Sequence, residues 1–284
     1  MDKKSLQKTF GTSQCPIVDF SLIDMPAQAE QMAGKSSISG VQPKIYVNFD
    51  KKNNILIRVD DGEYILKSQS RFPNVPENEQ CCMDIADEIG IDVPPHCLIP
   101  LKDKSLAYVV KRFDRKNGEK INQEDFFQVL GPKDKYIGSV EQICKKLKEI
   151  SAVPGLDVQL LFERVVFYFL IGNGDAHFKN YSITHFDGEQ IRLTPAYDIV
   201  CSGLVTNDDE SALAINGKQN NLKRKDFDVL ADYCKVPEKI RYEKFENKFD
   251  MVKKMIESSY LDKEKQERFT QIIKERLTRL ELSK

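Results

Sequence analysis

The 284-residue chain has room for one large or two ordinary domains, and 40% hydrophobic with 31% charged residues is a folded, globular composition that excludes collagen-like and disordered chains. Lys and Arg total 43 against 44 Asp and Glu, so the net charge of -1 lacks the basic excess that drives phosphate-backbone binding, and no direct nucleic-acid binding is expected. Seven Cys without a C-x-x-C pair, beside three His, indicate neither a disulfide framework nor a zinc site.

Met1-Asp2-Lys3-Lys4-Ser5 leads into no apolar stretch of signal-peptide length, and the longest apolar run, Val165 to Ile171, is far below a membrane span. A cytoplasmic protein with reduced thiols and no membrane partner is expected. Residues 1–34 show little period and read as an extended arm that packs on the body. From Ile45 short β-rich runs alternate with turn residues: Ile45 to Phe49, Asp50 to Asn54, Ile55 to Val59, Asp60-Asp61-Gly62, then Tyr64 to Lys67. This pattern predicts an antiparallel meander. Glu77 to Ile89 carries apolar residues at Cys82, Ile85, Ala86 and Ile89 and stops at Gly90, a helix with a glycine terminus, and Leu106 to Val110 reads as a strand. Cys81 and Cys82 are expected in the core, and His96 and His185 as structural or surface residues.

Beyond Phe113 the pattern turns helical: Asp125 to Leu130, Val140 to Ile150, Leu156 to Ile171, Asp226 to Tyr233, a long run from about Glu238 to Ser258, and Asp262 to Leu280. The expectation is an α+β chain of two lobes: residues 1–112 β-rich, residues 113–284 mainly helical, with a ligand cleft between them.

The most informative segment for chemistry is Ile171-Gly172-Asn173-Gly174-Asp175-Ala176-His177-Phe178-Lys179-Asn180, a polar loop after the most apolar helix. Asp175 and Asn180 form D-x-x-x-x-N, the spacing at which a kinase loop places a proton-accepting carboxylate and a magnesium-binding amide. Asp198, in Leu193-Thr194-Pro195-Ala196-Tyr197-Asp198, is expected to end a short strand and to give magnesium a second hard oxygen donor. Such spacings also arise where Asp or Asn merely caps a helix or makes a turn. Ser36-Ser37-Ile38-Ser39-Gly40-Val41-Gln42-Pro43-Lys44 is a small-residue loop suited to phosphate oxygens, and Lys67 ends a strand as a phosphate-pairing lysine does. Glu77 or Glu79 could pair with Lys67; the sequence does not choose. Gly34-Lys35-Ser36 is not a P-loop, because its first glycine position is Ala29 and a strand follows instead of preceding it.

In this order the segments resemble the HipA family of serine/threonine kinases, the toxins of bacterial toxin–antitoxin modules. Ser37 to Lys44 is similar to the family's Ser-containing phosphate loop, Asn173 to Asn180 to its catalytic loop, and Leu193 to Asp198 to its metal-binding segment. Val110 to Arg115, Gln123 to Phe126 and Ala212 to Lys218 are further similar blocks, and the likeness runs from about residue 36 to 235. The resemblance implies a two-lobed protein-kinase-like fold and an ATP- and Mg2+-dependent protein serine/threonine kinase. It assigns Asp175 as catalytic base with His177 orienting the loop, and Asn180 and Asp198 to magnesium. Ser37, Ile38, Ser39, Gly40, Val41, Gln42, Lys44, Lys67, Lys179 and Tyr197 fall at ATP-binding positions, with adenine near the backbone of Lys111 and Phe113. Ser37 and Ser39 match autophosphorylated positions, where added charge would eject the loop.

With the Ser loop at about residue 36, the layout is similar to the compact HipT toxins of three-component systems. That implies a HipS-like small antitoxin, a HipB-like helix-turn-helix protein and an aminoacyl-tRNA synthetase as substrate. Two other readings compete: a small-molecule phosphotransferase, which shares the D-x-x-x-x-N loop and later Asp, and a catalytically silent kinase-fold binding module.

Overall fold

The computed structural model describes residues 2–33, 42–116, 118–186, 190–206 and 210–283. They fall into two compact units, one of Met1–Cys81 with Pro94–Glu119 and one of Cys82–Val93 with Lys120–Lys284. All seven cysteines are free thiols. Among the described residues no helix is long and apolar enough to cross a membrane.

In the first unit the expected extended arm is partly helical. Helix α1 (Lys3–Phe10) starts at Asp2, whose carboxylate accepts the Lys4 and Ser5 N–H groups at 3.1 Å each, and it stops at left-handed Gly11. Only Leu6, Thr9 and Phe10 of this helix are buried, too few positions to show a period in the sequence. Ile17 then bonds along the edge of the sheet, its N–H donating to Asn54 O at 2.8 Å and its carbonyl accepting Leu56 N–H at 2.9 Å. Helix α2 (Met25–Ala33) follows, and buried Met25 joins Leu6, Phe10, Val18 and Phe20 in one core with the sheet.

That sheet comprises β1 (Lys44–Asp50), β2 (Ile55–Arg58), β3 (Tyr64–Lys67), β4 (His96–Pro100) and β5 (Leu106–Lys111), antiparallel throughout, in the order β2-β1-β3-β5-β4. The strands expected from sequence are present, but they do not form a meander: β1 lies between β2 and β3. The connection from β2 to β3 crosses β1, and a Cβ on Gly62 would come within 2.5 Å of the Val47 carbonyl oxygen. Only glycine permits that approach. Helix α3 (Val75–Ile89) begins two residues earlier than expected and ends at left-handed Gly90.

The second unit is built on α6 (Pro154–Leu170), strongly apolar and buried almost throughout from Val158 to Leu170. Proline at its start and Asp157 in its first turn fix its amino terminus: the carboxylate accepts Ser151 Oγ at 2.6 Å, Arg192 Nη2 at 2.9 Å and Leu193 N–H at 3.0 Å. Against it pack α5 (Val140–Ile150), α7 (Arg224–Cys234) and α9 (Lys263–Arg279); the unit also holds α4 (Phe126–Leu130) and, packed on α9, α8 (Phe249–Glu257). The expected helix from Glu238 to Ser258 is broken. Its first half is two short 3-10 turns, and Asn247 takes a left-handed backbone that a helix interior does not hold. A small antiparallel sheet, β6 (Asn122–Asp125), β7 (Ser182–Phe186) and β8 (Gln190–Leu193), was not expected beyond a short run before Asp198. That run ends at Leu193, and Asp198 stands in a left-handed turn beyond it.

Candidate functional site

The Ile171–Asn180 loop leaves α6 through Gly172, whose φ of 70° turns the chain. Its backbone is tied down at successive positions: Asn173 N–H donates to Tyr168 O at 2.9 Å and Gly174 N–H to Ser202 Oγ at 2.9 Å. His177 N–H donates to Asp175 O at 2.8 Å, and Asn180 N–H to His177 O at 2.9 Å. From residue 171 to 180 only Asp175 and Lys179 are exposed, so a buried frame presents one carboxylate to solvent. Lys179 turns its ammonium over the Phe127 ring, 4.9 Å from the centroid.

Asn180 and Asp198 are brought together. The amide Nδ2 donates to Asp198 Oδ2 at 3.3 Å, and its Oδ1 accepts His177 N–H at 3.1 Å. Asp198 has φ of 59°, a left-handed conformation costly for a non-glycine residue and typical of functional turns. Segment 194–198 is held by Arg164 Nη2 donating to Thr194 O at 2.6 Å and by Ala196 N–H donating to Asp92 O at 2.7 Å. Tyr197 Oη donates to Lys179 O at 2.8 Å and shares a hydrogen bond with Ser182 Oγ, which splices this segment to the loop.

A carboxylate beside an amide is a donor set that fits magnesium, which takes few protein oxygens and completes its octahedron with phosphates and water. The Asn180 amide would turn its oxygen towards Asp198 to serve. No group of three or more His, Cys, Asp and Glu ligands is found among the described residues.

Two residues not singled out from sequence complete this region. Lys135 Nζ donates to His177 Nε2 at 2.6 Å, and Tyr136 Oη donates to Asp175 Oδ1 at 2.8 Å. Burial, reinforced by the Lys135 ammonium, pushes the His177 imidazole below its ordinary value, so the ring is neutral and accepts at Nε2. The His177 ring thus reaches the Lys135–Tyr136 loop, while its backbone N–H holds Asp175 O. In the sequence these two residues lie between Gly131-Pro132 and Gly138, with no spacing that ties them to the 171–180 loop.

In the first unit, Gln42, Lys44 and Lys67 come together at one end of β1 and β3: Lys44 is the register partner of Lys67, and Gln42 Nε2 donates to Ser68 O at 2.7 Å. Lys67 is buried, with its ammonium 2.6 Å from Glu79 Oε1 and 5.6 Å from the Tyr108 ring centroid. The structure therefore selects Glu79; Glu77 accepts Gln69 Nε2 at 2.7 Å instead. Lys111 lies opposite Tyr64, at the far end of β3 from Lys67, and its N–H is donated to Pro95 O at 2.8 Å. Phe113 is half-buried beyond it. Ser37, Ile38, Ser39, Gly40 and Val41 lie outside the described residues. Cys81 and Cys82 are buried as expected, His96 is buried against Pro94 O, and His185 pairs at the surface with Glu124 at 2.8 Å.

The architecture is that of a kinase-like fold. HipA of Shewanella oneidensis, solved with HipB and operator DNA, superposes with a TM-score of 0.69 at 21% identity, over 87% of this chain and 64% of that one. The Helicobacter pylori proinflammatory kinase CtkA gives 0.58 at 16% identity, over 86% of this chain and 91% of that one. Residues 36–276 match the HipA-like C-terminal domain, and the chain belongs to that family. A Haemophilus influenzae protein named "Putative kinase" is 32% identical over 65% of this chain and 58% of its own length. "Putative kinase Y4mE" of Sinorhizobium fredii is 33% identical over 74% of this chain and 53% of its own length. The chain spans little more than half the length of these relatives.

Proposed function

We propose that the chain is an ATP-dependent protein serine/threonine kinase whose transfer step uses Asp175 as base. The observation that carries this reading is the buried Lys67–Glu79 pair at 2.6 Å. A strand lysine held by a helix glutamate is how kinases fix the ammonium that meets the ATP phosphates, and a charge pair is a costly thing to bury for packing alone. Asp175 supports it, as an exposed carboxylate on a fixed loop.

In the proposed step Asp175 accepts the proton of a seryl or threonyl hydroxyl as the new O–P bond forms and the bond to ADP breaks. Asn180 and Asp198 would hold magnesium, which when bound neutralises phosphate charge. Lys67 would offset charge on the phosphates, with Gln42 and Lys44 at the same strand ends, and Lys111 and Phe113 would take the adenine. Catalysis is then mostly positioning and electrostatics. The family likeness supports assigning Ser37 and Ser39 as autophosphorylation sites in a cytoplasmic toxin of a toxin–antitoxin module. It also supports a HipB-like partner, by analogy with the Shewanella complex, and the same proposal extends to a HipS-like antitoxin and an aminoacyl-tRNA synthetase as substrate.

The test is intact mass spectrometry after incubation with Mg2+ and ATP, beside Asp175→Asn. Phosphate added to the wild type alone and mapped to Ser37 or Ser39 is expected. Equal addition to Asp175→Asn removes Asp175 as base. Turnover of a sugar or antibiotic hydroxyl with no protein phosphorylation would favour the small-molecule reading.

A further inference from the structure

A kinase base must meet an acceptor hydroxyl at hydrogen-bond distance, and in this structure such a hydroxyl is already present within the chain. Tyr136 Oη donates to Asp175 Oδ1 at 2.8 Å. The contact belongs to a built element. The loop between α4 and α5 leaves at left-handed Gly131, and Asp134 Oδ1 accepts Tyr136 N–H at 2.8 Å. At its far end Ala214 N–H donates to Gly138 O at 2.9 Å and Val140 N–H to Ala214 O at 3.0 Å, which places the Ala212–Lys218 block as an anchor.

The loop also grips the candidate catalytic loop. Lys135 O accepts Phe178 N–H at 3.2 Å, and its ammonium binds His177 Nε2 while lying 4.7 Å from the Tyr136 ring centroid. The Tyr136 and His177 rings meet edge-on at 5.1 Å. A Cβ on Gly138 would come within 2.3 Å of the Phe178 ring, so the loop seats on Phe178 only because that residue is glycine. Yet Tyr136 and Ile137 remain 42% and 68% exposed, so the tip can be reached and displaced from solvent.

We propose that Tyr136 is a specificity-determining gate in the acceptor position of the site: it holds Asp175 until an incoming protein segment displaces its phenol. The inference rests on the reading of Asp175 as base. A water molecule or a small alcohol brings one hydroxyl and must break a charge-assisted hydrogen bond to use it. A protein segment brings a hydroxyl together with flanking side chains that can bind the exposed tip at Tyr136 and Ile137, so the gate selects macromolecular acceptors. Because the phenol competes with the acceptor inside the chain, only the open fraction binds, and apparent acceptor affinity falls by that fraction.

The experiment compares wild type, Tyr136→Phe and Asp175→Asn with Mg2+ and ATP, using as acceptors water and a synthetic peptide of residues 31–45. Tyr136→Phe keeps the ring on His177 and removes only the hydroxyl. About a tenfold lower KM for the peptide with kcat unchanged is expected, the scale of one hydrogen bond to a charged group. Tyr136→Ala, which also clears the ring, is expected to raise ATP hydrolysis to water further. A readout independent of turnover accompanies these. Amide hydrogen exchange in segment 131–138 should quicken in both Tyr136→Phe and Asp175→Ala. Transfer by Asp175→Asn at the wild-type rate would overturn the proposed function and the gate together. Loss of transfer in Asp175→Asn with a Tyr136→Phe that is no better, or that loses kcat, would overturn the gate alone, as would unchanged exchange in 131–138.

Discussion

The Lys67–Glu79 pair makes a prediction about stability that does not depend on activity. Both side chains are almost fully removed from water, 8% and 1% exposed, with 2.6 Å between charges. Glu79→Ala strips the carboxylate from a buried ammonium, a change that costs about 3–5 kcal/mol where nothing else compensates. Here the Tyr108 ring at 5.6 Å from Lys67 Nζ offsets part of this, at most about 2 kcal/mol, so a loss of about 1–5 kcal/mol is expected. Replacing both charges, Lys67→Met with Glu79→Met, substitutes apolar groups of similar length and is expected to fall within about 1 kcal/mol of wild type. Urea unfolding of wild type, Lys67→Met, Glu79→Met and the double variant closes the cycle, with a coupling energy of about 2–3 kcal/mol. The double variant, although stable, is expected to lose ATP-dependent transfer, which separates the fold's need for the pair from the reaction's. A Glu79→Ala cost below about 1 kcal/mol, with Glu79→Met and Lys67→Met additive, would refute the reasoning and take with it the observation on which the kinase reading rests.

Asp198→Gly is expected to raise the unfolding temperature while abolishing transfer, because glycine removes a left-handed strain of about 1 kcal/mol and the candidate metal ligand at once; thermal melts and a phosphotransfer assay read the two effects, and a lowered melting temperature would refute the strain argument. His177 titrates below its ordinary value because it is buried beside Lys135. Its folded value is depressed, so the stability it contributes is present above the ordinary imidazole value near ~6.5 and is lost as the pH falls through the lower folded value. With three histidines in the chain, imidazole signals can be followed singly by NMR, and Lys135→Met should move the His177 midpoint upward; an unmoved midpoint would remove the Lys135 contribution.

What could be read from the sequence was what local chemistry decides. Helix α5 (Val140–Ile150) matches its expected limits because Ser139 and Gln142 form a capping box and the helix buries one stripe, Val140, Ile143, Cys144 and Leu147. Strands β1 to β3 were legible from their β-branched runs, but their order was not. A hairpin-sized connection at Asp60-Asp61-Gly62 looks the same whether the strand returns beside β2 or crosses to the other edge of β1. Only the folded chain distinguishes them: β1 pairs with both β2 and β3, and a Cβ on Gly62 would meet Val47 O, fifteen residues distant, at 2.5 Å. Helix α1 was missed for the complementary reason: eight residues with two apolar anchors carry too little periodicity, and its stability comes from packing into the Ile45–Leu66 core.

The candidate site divides along the same line. Asp175, Asn180 and Asp198 stand out in the sequence because the chemistry proposed for them needs fixed residue types at fixed spacing. Glu79 was one of two equal choices, since Glu77 and Glu79 both open the same helix and the sequence cannot say which faces Lys67. Tyr136 carried no signal at all. Its role depends on where a loop 39 residues upstream of Asp175 returns in space, and that is set by Gly138 seating on Phe178 and by Ala214 bonding to Gly138 and Val140. A group that performs chemistry constrains its own neighbours in sequence, whereas a group that controls access to that chemistry need only arrive beside it. Gating residues are for that reason to be sought in the folded chain, among side chains whose polar atoms stand where a substrate's would.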